Sequence, residues 1–147
     1  FTRQVGITNL LDTNGTMDFS QHRELLNVTH GVMVYIKAWD SSIHKELTGW
    51  SNEMVLENSI FLAKQGKLVE IRTVVIESYL NNEETVDSIT KLLAPFLKYR
   101  DINYKIIKYR PFGVREEFKK FDIPSDEYMK NLKAIGIENG FKSIQIV

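Results

Sequence analysis

Leu11-Asp12-Thr13-Asn14-Gly15 carries an apolar segment into a polar turn, and three later apolar segments finish the same way. The second leads to Lys37-Ala38-Trp39-Asp40, the third passes Arg72 to reach Glu77-Ser78, and the fourth ends in Lys108-Tyr109-Arg110-Pro111-Phe112-Gly113. Apolar runs of four to eight residues bounded by turn chemistry read as buried strands, and polar residues recurring at their ends mark one rim. In parallel α/β architectures ligands bind at that rim.

The intervening segments have helical periodicity. Ile7 to Leu11 is the first expected strand, after which Asp18 or Ser20 caps a helix carrying Leu25, Leu26 and Val28. Gly31 to Ile36 is the second strand, and Ser51 or Asn52 caps a helix with Met54, Val55, Ile60, Phe61 and Leu62 that ends at Gly66. Lys67 to Ile76 is the third strand. Asn82-Glu83-Glu84 then opens a helix with carboxylates at its positive end and Val86, Ile89, Leu92, Leu93 and Phe96 on its buried stripe. Asn103 to Tyr109, a helix opened by Pro124-Ser125-Asp126-Glu127 and bearing Tyr128, Met129, Leu132 and Ile135, and a strand from Phe141 to Val147 complete the order. Five strands and four helices in alternation predict a parallel α/β sheet or part of a (β/α) barrel, in one domain spanning residues 1–147. Five strands do not close an eight-stranded barrel, so either the sheet stays open or further units complete it.

Composition narrows the chemistry. Nineteen basic residues balance nineteen acidic ones, which removes any general attraction for nucleic acid or anionic lipid. No apolar run is long enough to span a bilayer and no leader opens the chain, so the expected location is cytoplasmic. The absence of cysteine excludes disulfides, thiolate nucleophiles and Cys-ligated zinc or iron-sulfur clusters within these residues. His22, His30 and His44 lack the i, i+4 spacing of a local zinc site. The segment Thr2-Arg3-Gln4-Val5-Gly6 reads as a helix end with a glycine cap, which raises the expectation of a piece of a longer chain.

Four groups of residues offer chemistry. Asp12, Thr13 and Asn14 place a carboxylate, a hydroxyl and an amide beside Gly15, although the same four residues make a good solvent-facing turn. Lys37 sits where a strand leaves the core; it suits a ligand carboxylate, a Schiff base if desolvated, or plain solvation. Arg72 shares a strand face with Glu70, either as a structural ion pair or as a bidentate grip on a carboxylate. Tyr109-Arg110-Pro111-Phe112-Gly113 combines charge with aromatic rings, as a nucleoside or a peptide would require, or simply forms a packed loop.

These motifs together resemble a family. Leu11-Asp12-Thr13-Asn14-Gly15, Val32-Met33-Val34-Tyr35-Ile36-Lys37, Ile43-His44-Lys45-Glu46-Leu47-Thr48-Gly49-Trp50-Ser51-Asn52 and Ile71-Arg72-Thr73-Val74-Val75-Ile76 look like the later part of the glycyl-radical enzyme activases. The His-x-x-Leu-x-Gly-x-Ser-Asn stretch is the most specific piece, and Tyr-Arg-Pro-Phe-Gly-Val-Arg looks like a subgroup of the family. The resemblance implies an incomplete radical SAM barrel that binds S-adenosylmethionine on a four-iron, four-sulfur cluster and cleaves it to a 5′-deoxyadenosyl radical. That radical takes hydrogen from a glycine of a partner glycyl-radical enzyme of the pyruvate formate-lyase type, and flavodoxin or ferredoxin serves as electron donor. The family's Cys-x3-Cys-x2-Cys loop and Gly-Gly-Glu-type motif have no counterpart in these 147 residues, so the resemblance implies no metal ligand or catalytic residue here and an inactive fragment.

Carried over by position, Asp12 and Thr13 fall near the methionyl group, Lys37 on its carboxylate, Arg72 in the same cavity and Arg110 against the nucleoside. Two positions depart from the pattern. Tyr35 stands where the best known member has an acidic residue, and Arg110 where it has a histidine; arginine can stack on adenine or bond ribose but cannot act as neutral imidazole. The competing readings are a Schiff-base lyase fragment using Lys37 and a protein-interaction module. An open first strand would also favour self-association.

Overall fold

The computed structural model describes residues 4–147. Five strands form one parallel sheet in the order β1-β2-β3-β4-β5: β1 Leu10–Thr13, β2 Gly31–Tyr35, β3 Leu68–Val75, β4 Asn103–Lys108 and β5 Ile144–Ile146. Sequential order without a switch point is that of a barrel arc rather than of a doubly wound sheet. Among the described residues the arc is open, with β1 and β5 as its edges.

Five α-helices join the strands: α1 Arg23–Val28, α2 Ser41–Thr48, α3 Glu53–Lys64, α4 Asn82–Leu93 and α5 Asp126–Glu138. Four were expected, and α2 is the addition. Its ends obey ordinary capping rules: Asp40 Oδ1 accepts the Ile43 N–H at 2.9 Å, and Gly49 takes the left-handed φ of 85° that closes the last turn.

Other boundaries move for local reasons. The first strand is Leu10–Thr13 rather than Ile7 to Leu11, because Leu10 to Thr13 lie in register with Gly31 to Val34 while Ile7 stays exposed. Asp18 caps a 3-10 turn, Phe19–Gln21, through the Ser20 N–H, and α1 begins only at Arg23, leaving Val28 exposed. Asn52 sits at the N-cap of α3 without a capping bond; its side-chain amide donates instead to the carbonyls of Ala38 and Trp39. The last strand shortens to Ile144–Ile146. Of the expected helix end at Thr2 to Gly6, Thr2 and Arg3 lie outside the described residues, and Gly6 has a positive φ of 73°.

The core lies on one face. Val32, Val34, Ile71, Tyr104 and Ile106 point from the strands into a cluster with Val55, Leu62, Ile89, Leu93, Met129 and Leu132 from the helices. Strand residues alternate between faces, so the residues between these project the other way. Those are Asp12, Met33, Tyr35, Glu70, Arg72, Asn103 and Lys105, a mostly polar surface away from the helix layer, which α2 approaches only at the strand ends, where Leu47 shares a cavity with Val74 and Lys37.

Candidate functional site

The open face is organised around Arg72. Its Nη1 donates to Asp12 Oδ2 at 2.9 Å and to the Tyr35 hydroxyl at 3.1 Å, its Nη2 lies 3.1 Å from Met33 Sδ, and its Nε donates to Glu70 Oε1. Glu70 also accepts from Asn103 Nδ2 at 2.6 Å and pairs with Lys105 at 3.3 Å. Burial works against the Glu70 carboxylate, but the bonds from Arg72 and Asn103 and the charges of Arg72 and Lys105 hold its pKa below the ordinary value. The Arg72 guanidinium is likewise held charged: the cost of burial is outweighed by bonds to Glu70 and Tyr35.

Lys37 lies two residues beyond Tyr35 on the same face, with its Nζ 4.3 Å from the centre of the Tyr35 ring. Among the described residues it makes no ion pair. Desolvation lowers its pKa, and the nearby Asp12 carboxylate offsets part of that. Its neighbour is a cavity of about 310 Å³ lined by Leu47, Val74, Ile76, Tyr109, Val114 and Phe118 as well as Lys37. The wall formed by residues 110–118 is anchored where the Tyr109 hydroxyl donates to the Phe118 carbonyl at 2.6 Å, and Tyr79 packs on Phe118 and Phe121. An apolar pocket with the half-buried Lys37 and the exposed Arg115 on its wall suits a ligand that has an apolar body and an anionic group.

The five residues singled out in the sequence divide. Asp12 and Arg72 touch, and Tyr35 links them to Lys37. Arg110 is exposed and lines an adjoining hollow that shares Val74, Tyr109 and Val114 with the first, so it stands on the same rim without touching the other four. Thr13 alternates with Asp12 and faces the helices; its hydroxyl accepts the Gly15 N–H at 3.1 Å and so shapes the turn. That turn is pinned from α3, where Asn58 donates to the carbonyls of Gly15 (2.8 Å) and Met17 (2.7 Å). Gly15 has φ 74°, and a Cβ there would meet Val34 and Val55 at 3.1 Å, so only glycine fits both backbone and space.

The His-x-x-Leu-x-Gly-x-Ser-Asn stretch is a corner rather than a reaction centre. The buried His44 donates from Nδ1 to the Trp50 carbonyl at 2.9 Å, Gly49 makes the turn, Leu47 lines the cavity and Asn52 ties the corner to the exit of β2. Tyr35, which the sequence marks only as a departure from the family's acidic residue, joins the site through its ring, and Asn103 and Lys105 join it with no signal beyond alternation on one strand.

No family model matches the chain. It is 28% identical over 148 residues to the pyruvate formate-lyase 1-activating enzyme of Escherichia coli, covering 95% of this chain and 60% of that protein. It is 29% identical over 128 residues to the isethionate sulfite-lyase activating enzyme of Desulfovibrio desulfuricans, covering 85% of this chain and 40% of the relative. The chain thus spans well under two thirds of the length of these relatives. In fold it matches a crystallised domain of the pyruvate-formate lyase-activating enzyme from Bacteroides vulgatus with a TM-score of 0.81, over 99% of this chain and 84% of that one, at 21% identity. Motifs, relatives and fold therefore agree that the chain is similar, along nearly all its length, to the glycyl-radical enzyme activases of the pyruvate formate-lyase activating type.

Proposed function

We propose that these residues supply one wall of the S-adenosylmethionine site of a radical SAM activase that oxidises a glycine of a lyase partner. The observation that carries the reading is Lys37: a half-buried cation without an ion-pair partner among the described residues, at the edge of an apolar cavity, on the open face of a parallel sheet. The carboxylates of this face are already engaged, Asp12, the one that acts on Lys37, by Arg72 and Glu70 by Arg72 and Lys105. That leaves the Lys37 charge unmatched beside the cavity, which fits a ligand carboxylate. Arg110, exposed on the rim, is available to a base or a ribose.

The donor set fits the ligand and not the cluster. With no cysteine in the sequence, and no group of three His, Asp or Glu among the described residues that could hold a metal ion, these residues would grip the organic part only. When bound and reduced, the cluster-held cofactor supplies one-electron chemistry that removes a hydrogen atom from the partner's glycine. In this reading Lys37 orients a carboxylate, Asp12 and Arg72 hold the floor rigid, and the wall of residues 110–118 limits water. The isolated chain is then inactive. The partner is a glycyl-radical enzyme, the electron donor is flavodoxin or ferredoxin, and the location is cytoplasmic; no helix among the described residues is long and apolar enough to cross a membrane.

Iron and sulfide reconstitution of the 147 residues should leave no cluster absorbance, and saturation-transfer NMR should detect weak contact with S-adenosylmethionine that Lys37→Ala abolishes. A stoichiometric four-iron cluster on this chain would refute the proposal. The lowered pKa of Lys37 supports a second reading, a Schiff-base amine. Borohydride trapping of a carbonyl compound on Lys37 would favour it.

A further inference from the structure

Among the described residues Tyr35 is the aromatic residue that bridges Lys37 and Arg72. Its ring centre lies 4.3 Å from Lys37 Nζ and 5.3 Å from the Arg72 guanidinium carbon, while its hydroxyl accepts from Arg72 Nη1 at 3.1 Å. Arg72 is itself fixed at three further points, by Glu70, Asp12 and Met33. The ring therefore cannot turn without breaking a bond to a clamped group. Tyr35 stays half-exposed on the open face, so its hydroxyl is not there to satisfy a buried core.

We propose that Tyr35 is a positioning residue for Lys37: its ring face seats the ammonium group against the cavity wall, and Arg72 locks the ring through its hydroxyl. A lysine on a four-carbon stem samples many rotamers, and a seat that narrows them lowers the ordering cost of any anion the ammonium binds. The groups that face or adjoin Lys37 are Asp12 from β1, Tyr35 from β2, Ile76 just beyond β3, Tyr109 beyond β4, Thr48 from α2, and Arg115 from the loop, with Arg72 on the same Tyr35 ring. Among the described residues only the Tyr35 ring presents a π face to the ammonium. The inference deepens the reading of Lys37 as the ligand-facing cation, and its test needs no ligand.

The test is NMR of the chain with 13C-labelled lysine, the Lys37 signal being assigned by its loss in Lys37→Arg. In the unmutated chain the ring current should displace the Lys37 ε-methylene protons upfield of the other lysines. Tyr35→Phe should keep that displacement in smaller degree, because the ring remains but its tether to Arg72 is gone. Tyr35→Leu should abolish it and lower the Lys37 titration midpoint by roughly half a pH unit, since a cation over a ring face favours the charged form. Identical ε-methylene shifts in all three chains would overturn the proposal. So would a midpoint that rises in Tyr35→Leu, which would make the ring only a wall against water. Failure to bind any S-adenosyl ligand would undo the functional reading and leave this result standing.

Discussion

The two faces of the sheet are built from the same strands, residue by alternate residue, yet they obey different physics. On β4, Tyr104 and Ile106 are fully buried among helix side chains, whereas Asn103, Lys105 and Ile107 project onto the opposite, more open face. The first face holds the fold by removing apolar area from water, a term that tolerates no charge. The second carries Asp12, Glu70, Arg72 and Lys105, each charge answered by another, and leaves Lys37 without an ionic partner among the described residues. Apolar packing and paired surface charge are thus separated by a one-residue step along a strand.

The sharpest test of that separation uses two adjacent isoleucines. Ile106→Ala should cost ~2–5 kcal/mol in urea unfolding, the usual range for emptying a packed core site. Ile107→Ala, half-buried on the open face beside Val74, should cost under about 1 kcal/mol. Equal losses would show that the open face is as tightly packed as the other.

Within the open face, Glu70→Gln should cost ~1–3 kcal/mol at neutral pH, because it removes a charged acceptor from Arg72 and Lys105. The sign of the pH dependence follows from the lowered Glu70 pKa. A depressed carboxylate contributes stability fully above its unfolded value of about 4.3 and loses it as pH falls through the lower folded value. The gap between the parent chain and Glu70→Gln should therefore be widest near pH 6–7 and shrink below about pH 4. A gap that widens in acid would mean the ion pairs contribute little.

The smallest effect belongs to Thr13, one residue from Asp12 but on the other face. Thr13→Val deletes the bond to the Gly15 N–H and should cost about 0.5–1.5 kcal/mol while leaving the Lys37 titration unmoved. A moved Lys37 would place Thr13 in the ligand site after all. The open β1 edge gives a parallel check on surface behaviour: with Leu10 exposed and no strand beyond it among the described residues, the chain should self-associate in a light-scattering concentration series.

Much of this was legible in the sequence. Helical periodicity located α3, α4 and α5, and strand-end polarity pointed to the rim on which Lys37, Tyr109 and Arg110 stand. The i, i+2 spacing of Glu70 and Arg72 announced their ion pair, but the approach of Arg72 to Asp12, sixty residues earlier, depends on strand order and register. Helix α2 was missed although Asp40 and Gly49 supplied both caps, because its eight residues carry only Ile43 and Leu47 as aliphatic signals. Thr13 was grouped with Asp12 because the segment read as a turn; once β1 extends to Thr13, alternation separates the two. Tyr35 reads as an ordinary strand aromatic until Lys37 and Arg72 are seen around its ring.

If Lys37 is the lysine of the open face that meets an anionic ligand group, titrating the 13C-lysine chain with S-adenosylmethionine should single it out. Weak binding should shift the Lys37 ε signal while leaving Lys105, paired with Glu70, and Lys108, paired with Asp126, in place. Shifts spread equally over all three lysines, or an unmoved Lys37, would contradict that role.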